Sequence, residues 1–83
     1  MIKTIIIDDE RHSCDALKML LNKCCPQVQV EAVCYSGAEA IENIKELKPD
    51  LIFLDIEMPN MNGFLTTFLS KTKITYNIFA HFD

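Results

Sequence analysis

Residues 2–7, Ile-Lys-Thr-Ile-Ile-Ile, are almost all β-branched and run directly into Asp8-Asp9-Glu10. Such a run predicts a short strand buried on both faces, the signature of a central strand in a parallel sheet. From about His12 to Cys24, Leu17, Leu20, Leu21 and Cys24 recur at i, i+3, i+4 and i+7, so a helix with one apolar face is expected, with Pro26 marking its exit. Val28, Val30, Ala32 and Cys34 then alternate with Gln29, Glu31 and Val33, a period near two that suits a half-exposed strand at a sheet edge. Ser36-Gly37-Ala38-Glu39 matches a capping box, in which the Ser36 hydroxyl accepts from the Glu39 amide and the Glu39 carboxylate reaches back. Ala38, Ile41, Ile44 and Leu47 make the apolar stripe of the helix that follows, and Lys48-Pro49 ends it before a third strand, Leu51 to Leu54. Pro59, Asn60, Asn62 and Gly63 predict a loop, Phe64, Leu65, Phe68 and Leu69 a short third helix, and Ile74, Tyr76, Ile78 and Phe79 a last strand. The order β-α-β-α-β-α-β places the chain in the α/β class, as a doubly wound parallel sheet with helices on both faces and right-handed crossovers.

Composition narrows the function classes. Eighty-three residues make one domain, residues 1–83, and chains this short bury only about 60% of the surface their unfolded form exposes. The formal charge is −4, and the eight Lys and Arg residues are scattered, so no basic stripe exists for neutralising phosphates and direct nucleic-acid binding by this segment is not expected. The apolar run at the start is too short for a signal peptide, and no stretch approaches the roughly 20 apolar residues of a membrane span, so a cytoplasmic protein is expected. Cys14, Cys24, Cys25 and Cys34 include no CxxC pair, and adjacent Cys24-Cys25 have poor disulfide geometry. Their expected role is that of small buried hydrophobes.

Chemistry is expected where strands end. In an open parallel sheet, ligands sit beyond the carboxyl ends of the strands where the strand order reverses. Asp8 and Asp9 follow the first strand and Asp55 ends the third, two strands that are neighbours in a doubly wound sheet, so three carboxylates should meet in one crevice. Like charges so placed repel one another, a cost that a cation removes. Oxygen ligands in a half-open pocket suit Mg²⁺, which keeps several waters and shares its shell with phosphate oxygens. A single Asp after a strand is ordinarily a helix cap or turn former; three at two adjacent strand ends are poorly accounted for that way. His12 and His81 read as surface or loop residues, and Met58 and Met61 as loop packing.

Three stretches carry a resemblance: Ile5-Ile6-Ile7-Asp8-Asp9-Glu10, Lys48-Pro49-Asp50-Leu51-Ile52-Phe53-Leu54-Asp55-Ile56-Glu57-Met58-Pro59, and Asn62-Gly63-Phe64. In order and spacing they resemble the receiver domain of two-component response regulators, a flavodoxin-like fold, and the wording DIEMPNMNG is most similar to receivers that precede a LytTR-type DNA-binding domain. The resemblance implies a phosphoacceptor in phosphorelay signalling, in which a partner histidine kinase offers a phosphohistidine and the phosphoryl group passes to Asp55. It also implies that Asp9 coordinates Mg²⁺ directly, that Asp8 does so directly or through water, and that Glu57 contributes its backbone carbonyl. No enzymatic activity beyond self-phosphorylation is implied.

The resemblance covers about two-thirds of the family's length. A fifth strand ending in a phosphoryl-contacting lysine and the last two helices have no counterpart, and Ile78-Phe79-Ala80-His81-Phe82-Asp83 offers no hydroxyl where the family's fourth strand ends in Ser or Thr. The expectation is therefore a truncated receiver with impaired switching. Its bare last strand would invite pairing with a second copy, as a homodimer or domain swap. Two other classes compete: a degenerate fragment that acts only through protein association, and a small Mg-dependent phosphatase-like enzyme, for which Asp55 comes late in the chain and is followed by the wrong residues.

Overall fold

The computed structural model describes residues 1–55, 67–69, 71 and 75–79. Six elements are delimited in it, in the order β1 (Ile2–Ile7), α1 (Arg11–Cys24), β2 (Val28–Cys34), α2 (Gly37–Leu47), β3 (Leu51–Asp55) and β4 (Thr75–Phe79). The strands form one sheet in the order β2-β1-β3-β4, and every pairing is parallel. This matches the expected architecture, with β1 central and β2 at an edge, and adds that β4 pairs with β3. Residues 67–69 are helical, with Leu69 buried, whereas Phe64 and Leu65 of the expected third helix lie outside the described residues.

Alternation along the strands divides the core into two layers. Ile5, Ile7, Ile52 and Leu54 face Ala40 and Ile44 of α2 and Leu69, while Ile6 faces Cys14 and Leu21 of α1, with Phe53 and Val33 packed alongside. Helices on both faces account for the apolar run Ile5–Ile7, which is fully buried, whereas Ile2 and Lys3 at the start of β1 are exposed. Lys45 of α2 lies over the Phe68 ring, 5.9 Å from its centroid, joining the short helical segment to α2.

In β2 the expected period of two breaks. The β1 pairing runs Thr4 with Val30 and then Ile5 with Ala32, so Glu31 is the extra residue of a bulge. A one-residue shift sends later side chains to the opposite face. Val28 and Val30 accordingly pack on the α1 side, whereas Ala32 and Cys34 pack on the α2 side.

The expected helix faces hold in part: α1 is turned from its expected stripe, and α2 departs from it at one position. In α1 the side chains turned inward are Cys14, Leu17 and Leu21, at i, i+3 and i+7, while Leu20 is 56% exposed and Cys24 is exposed. The two apolar patterns overlap in sequence, and contact with β1 and β2 selects between them. In α2, Ala40 is buried in place of Ala38, Ile44 is buried as expected, and Ile41 and Leu47 pack partly buried against the core. Ser36 caps α2, its hydroxyl accepting from the Glu39 amide at 3.2 Å. Lys48 ends the helix in the left-handed region at φ 48° and ψ 62°, its amide donating to the Ile44 carbonyl at 3.0 Å. Asp50 then aligns β3 with β1: its amide donates to the Lys3 carbonyl at 2.8 Å, and its carboxylate accepts from the Lys3 amide at 3.0 Å.

All four cysteines are free. Burial pushes the Cys14 thiol up to about 12, with Asp8 adding to the shift, and pushes Cys34 up to about 11, with Glu39 contributing. Cys24 differs, being exposed rather than the buried hydrophobe expected of it. Iodoacetamide at pH 8 should therefore label Cys24 in the native protein and reach Cys14 and Cys34 only after denaturation, because the thiolate is the nucleophile. Peptide mapping by mass spectrometry checks this; native labelling of Cys14 at the rate of Cys24 would contradict the packing.

Candidate functional site

Because every pairing is parallel, all strand carboxyl ends lie along one edge of the sheet. Ile7 is the register partner of both Leu54 and Cys34. The next residues, Asp8 and Asp55, consequently emerge side by side, and Asp9 follows at the rim. Carboxylate oxygens of Asp8, Asp9 and Asp55 lie within 4.8 Å of one another. Asp8 and Asp55 are fully buried, whereas Asp9 is exposed. The structure thus brings together three of the four residues that the sequence nominates for the crevice; Glu57 lies outside the described residues, as does the turn at Pro59 and Gly63.

Asp8 is gripped at several atoms. Its amide donates to the Cys34 carbonyl at 3.0 Å, extending the β1–β2 ladder one residue past the strand. Its Oδ1 accepts from the Glu10 amide at 2.9 Å, and its carbonyl accepts from the Cys14 thiol at 3.5 Å. Asp55 is held differently, as the last residue of β3, paired with Phe79 of β4.

Glu10 is the N-cap of α1, a role that sequence inspection misses because Ser, Thr, Asp and Asn are the usual N-caps. Its Oε1 accepts from the His12 amide at 3.1 Å, and its Oε2 accepts from the Ser13 amide at 3.2 Å and the Ser13 hydroxyl at 3.3 Å. The His12 amide, followed by the Ser13 groups and the His12 ring at 3.4 Å, holds the Glu10 carboxyl below its ordinary range. A negative group there also complements the helix dipole. Beside the cap, the Arg11 guanidinium sits 4.3 Å from the Tyr35 ring centroid, bridging the start of α1 and the end of β2. This cation–π contact joins residues 24 positions apart, so no local spacing announces it.

The profile of the response regulator receiver domain family matches residues 4–79. The chain belongs to that family. An uncharacterised response regulatory protein of Yersinia pestis is 36% identical over 81 residues, covering 96% of this chain and 34% of that protein. A protein-glutamate methylesterase/protein-glutamine glutaminase of Thermotoga maritima is 40% identical over 63 residues, covering 76% of this chain and 18% of that protein. Among solved structures, the response regulator domain of Thermotoga maritima CheB superposes with a TM-score of 0.80 at 34% identity, covering 94% of this chain and 59% of that one. A chain in the structure of the P1 domain of CheA3 in complex with CheY6 from R. sphaeroides gives a TM-score of 0.76 at 29% identity, covering 93% of this chain and 60% of that one. The receiver chain thus spans about a third of the Yersinia relative and under a fifth of the methylesterase. The flavodoxin-like receiver fold and membership of two-component signalling follow from these matches. No described helix is long and apolar enough to cross a membrane.

Three carboxylates this close repel one another when no counter-ion is present. Asp9→Asn should therefore raise the melting temperature in chelator slightly, by no more than a solvent-screened surface charge allows. Differential scanning calorimetry in EDTA checks the sign, and a lower melting temperature in the variant would show that this charge is stabilising.

Proposed function

We propose that residues 1–83 act as one receiver unit that accepts a phosphoryl group on Asp55 from the phosphohistidine of a histidine kinase, with Mg²⁺ in the acidic crevice. The observation that supports this most directly is the approach of Asp8, Asp9 and Asp55 to within 4.8 Å at the ends of two paired strands. The donor set would fit the ion: it is all oxygen, mixes buried with exposed carboxylates, and stands at the rim of the sheet. In this reading Asp8, Asp9 and Asp55 hold the ion, together with the backbone carbonyl of Glu57. Bound Mg²⁺ supplies neutralisation of the charge on the transferring group.

The chain's own residues do the rest. A carboxylate oxygen of Asp55 attacks phosphorus, the phosphorus–nitrogen bond breaks, and the imidazole nitrogen keeps the electron pair and then takes a proton. Burial of Asp55 between Leu54 and the neighbouring strands fixes its position, so little orientational freedom is lost on reaching an in-line arrangement. Asp8, held by the amide of Glu10 and the carbonyl of Cys34, keeps its carboxylate toward the same crevice. Membership of the family and the likeness to a chain solved with the P1 domain of CheA3 support such a partner. A cytoplasmic site of action accords with such a partner. The methylesterase activity named for several relatives is not carried to this chain, which matches only a small part of those proteins.

Incubation with acetyl phosphate and Mg²⁺ should add one phosphoryl group to the wild-type protein, read by intact mass. Asp55→Ala, or chelator, should abolish the gain. An unmodified wild type would defeat the phosphoacceptor reading, and sustained phosphate release would point to a phosphatase instead.

A second part of the proposal concerns association. Among the described strands β4 is an edge of the sheet, and an edge strand offers unpaired backbone groups to another chain. We place a homodimer contact, or a domain swap, at this strand. Light scattering across a concentration series should show growth of a dimer; a monomer at the highest concentration would refute it.

A further inference from the structure

We propose that Glu10 is a positioning residue for the acidic site, acting through its backbone amide on the Asp8 carboxylate. The inference rests on the metal-assisted phosphoacceptor reading above and deepens it. Both ends of Glu10 are engaged at once. Its carboxylate spans the second and third amides of α1, with Oε1 on His12 N–H at 3.1 Å and Oε2 on Ser13 N–H at 3.2 Å, and its own amide points at Asp8 Oδ1 at 2.9 Å. The residue lies in the extended region at φ −103° and ψ 113°. Two oxygens held by two successive amides leave this backbone little freedom to rotate, and the φ angle of Glu10 helps to set the direction of its N–H.

Two consequences follow. The Asp8 carboxylate receives its amide bond from a residue that is anchored to a 14-residue helix, so its rotation about χ2 is fixed by α1 and not only by the strand. The Glu10 side chain, meanwhile, is committed to the helix end and is not among the acids that converge in the crevice, although it is the immediate neighbour of Asp9. A short Ser or Asp cap would stabilise a helix as well as Glu does. Glu10 has the extended backbone usual for an N-cap, as Ser36 does, but its longer side chain grips two successive amides at once and so restrains the backbone whose amide reaches Asp8. Groups that orient metal ligands commonly change affinity by ten- to a hundredfold when removed.

Mg²⁺ titration of the full chain by isothermal calorimetry at physiological ionic strength tests the role without any phosphodonor. Glu10→Ala should weaken Mg²⁺ binding by roughly tenfold, whereas Glu10→Gln, which loses the charge and one of the two acceptor oxygens but keeps the reach to the helix amides, should fall between Glu10→Ala and wild type. Equal weakening in both variants would mean that only charge matters and would overturn the inference. So would an unchanged Kd in Glu10→Ala alongside a lower melting temperature, the mark of a purely structural cap. Should Glu10→Ala not fold by circular dichroism, Glu10→Ser takes its place, retaining a cap without the double grip, with the same weakening expected. Wild-type protein that binds no Mg²⁺ overturns both the metal-assisted reading and this inference; wild-type binding with a Glu10-insensitive Kd overturns this inference alone.

Discussion

The pairing of β1 with β3 in parallel, with Ile7 opposite Leu54, is the constraint on which the site depends. Side chains along a strand alternate with a period of two, so a register shifted by one residue would turn Asp55 away from Asp8 and exchange the two core layers at once. Burial of Ile5, Ile7, Ile52 and Leu54 on one face and of Ile6 on the other opposes any such slip. The Asp50–Lys3 contacts, made where β3 begins, add a polar register mark at the opposite end of the same strand pair. Placement of the acids is thus a by-product of how the core fills, and the greasy character of both strands is what makes the carboxylate positions rigid.

Burial and charge act against each other at the crevice. Fully buried Asp8 and Asp55 sit where a carboxylate is poorly solvated, next to exposed Asp9. Taking carboxylates out of water costs stability, and a small domain has little to spare. Backbone groups offset part of that cost at Asp8, through the Glu10 amide on its side chain. Proteins retain such clusters where a cation or a transferring phosphoryl group makes use of them, which is the logic behind the phosphoacceptor reading.

The two helices contribute unequally to the site. α1 begins at its rim, and its first turn is tied there by the Glu10 cap, by the Cys14 thiol on the Asp8 carbonyl, and by Arg11 against Tyr35. α2 is anchored by Ser36 and fills the opposite layer through Ala40 and Ile44. Movement of α1 would therefore be felt at Asp8, whereas α2 bears on the crevice through the strands that it covers.

Much of this was legible in the residues themselves. The β-branched run into Asp8-Asp9, the apolar run into Asp55 and the alternation of strands with helical spacings determined an α/β parallel sheet and nominated the acids that meet at its edge, because strand character and strand order depend on patterns a few residues long. Tertiary structure alone decided the bulge at Glu31, the inward faces of α1 and α2, the Asp50 clasp on β1 and the use of Glu10 as a cap that reaches Asp8. Most of these turn on contacts between residues distant in sequence, and they were chosen among locally equivalent alternatives by which arrangement buries the most apolar surface while satisfying the backbone. Local spacing carries no record of that comparison.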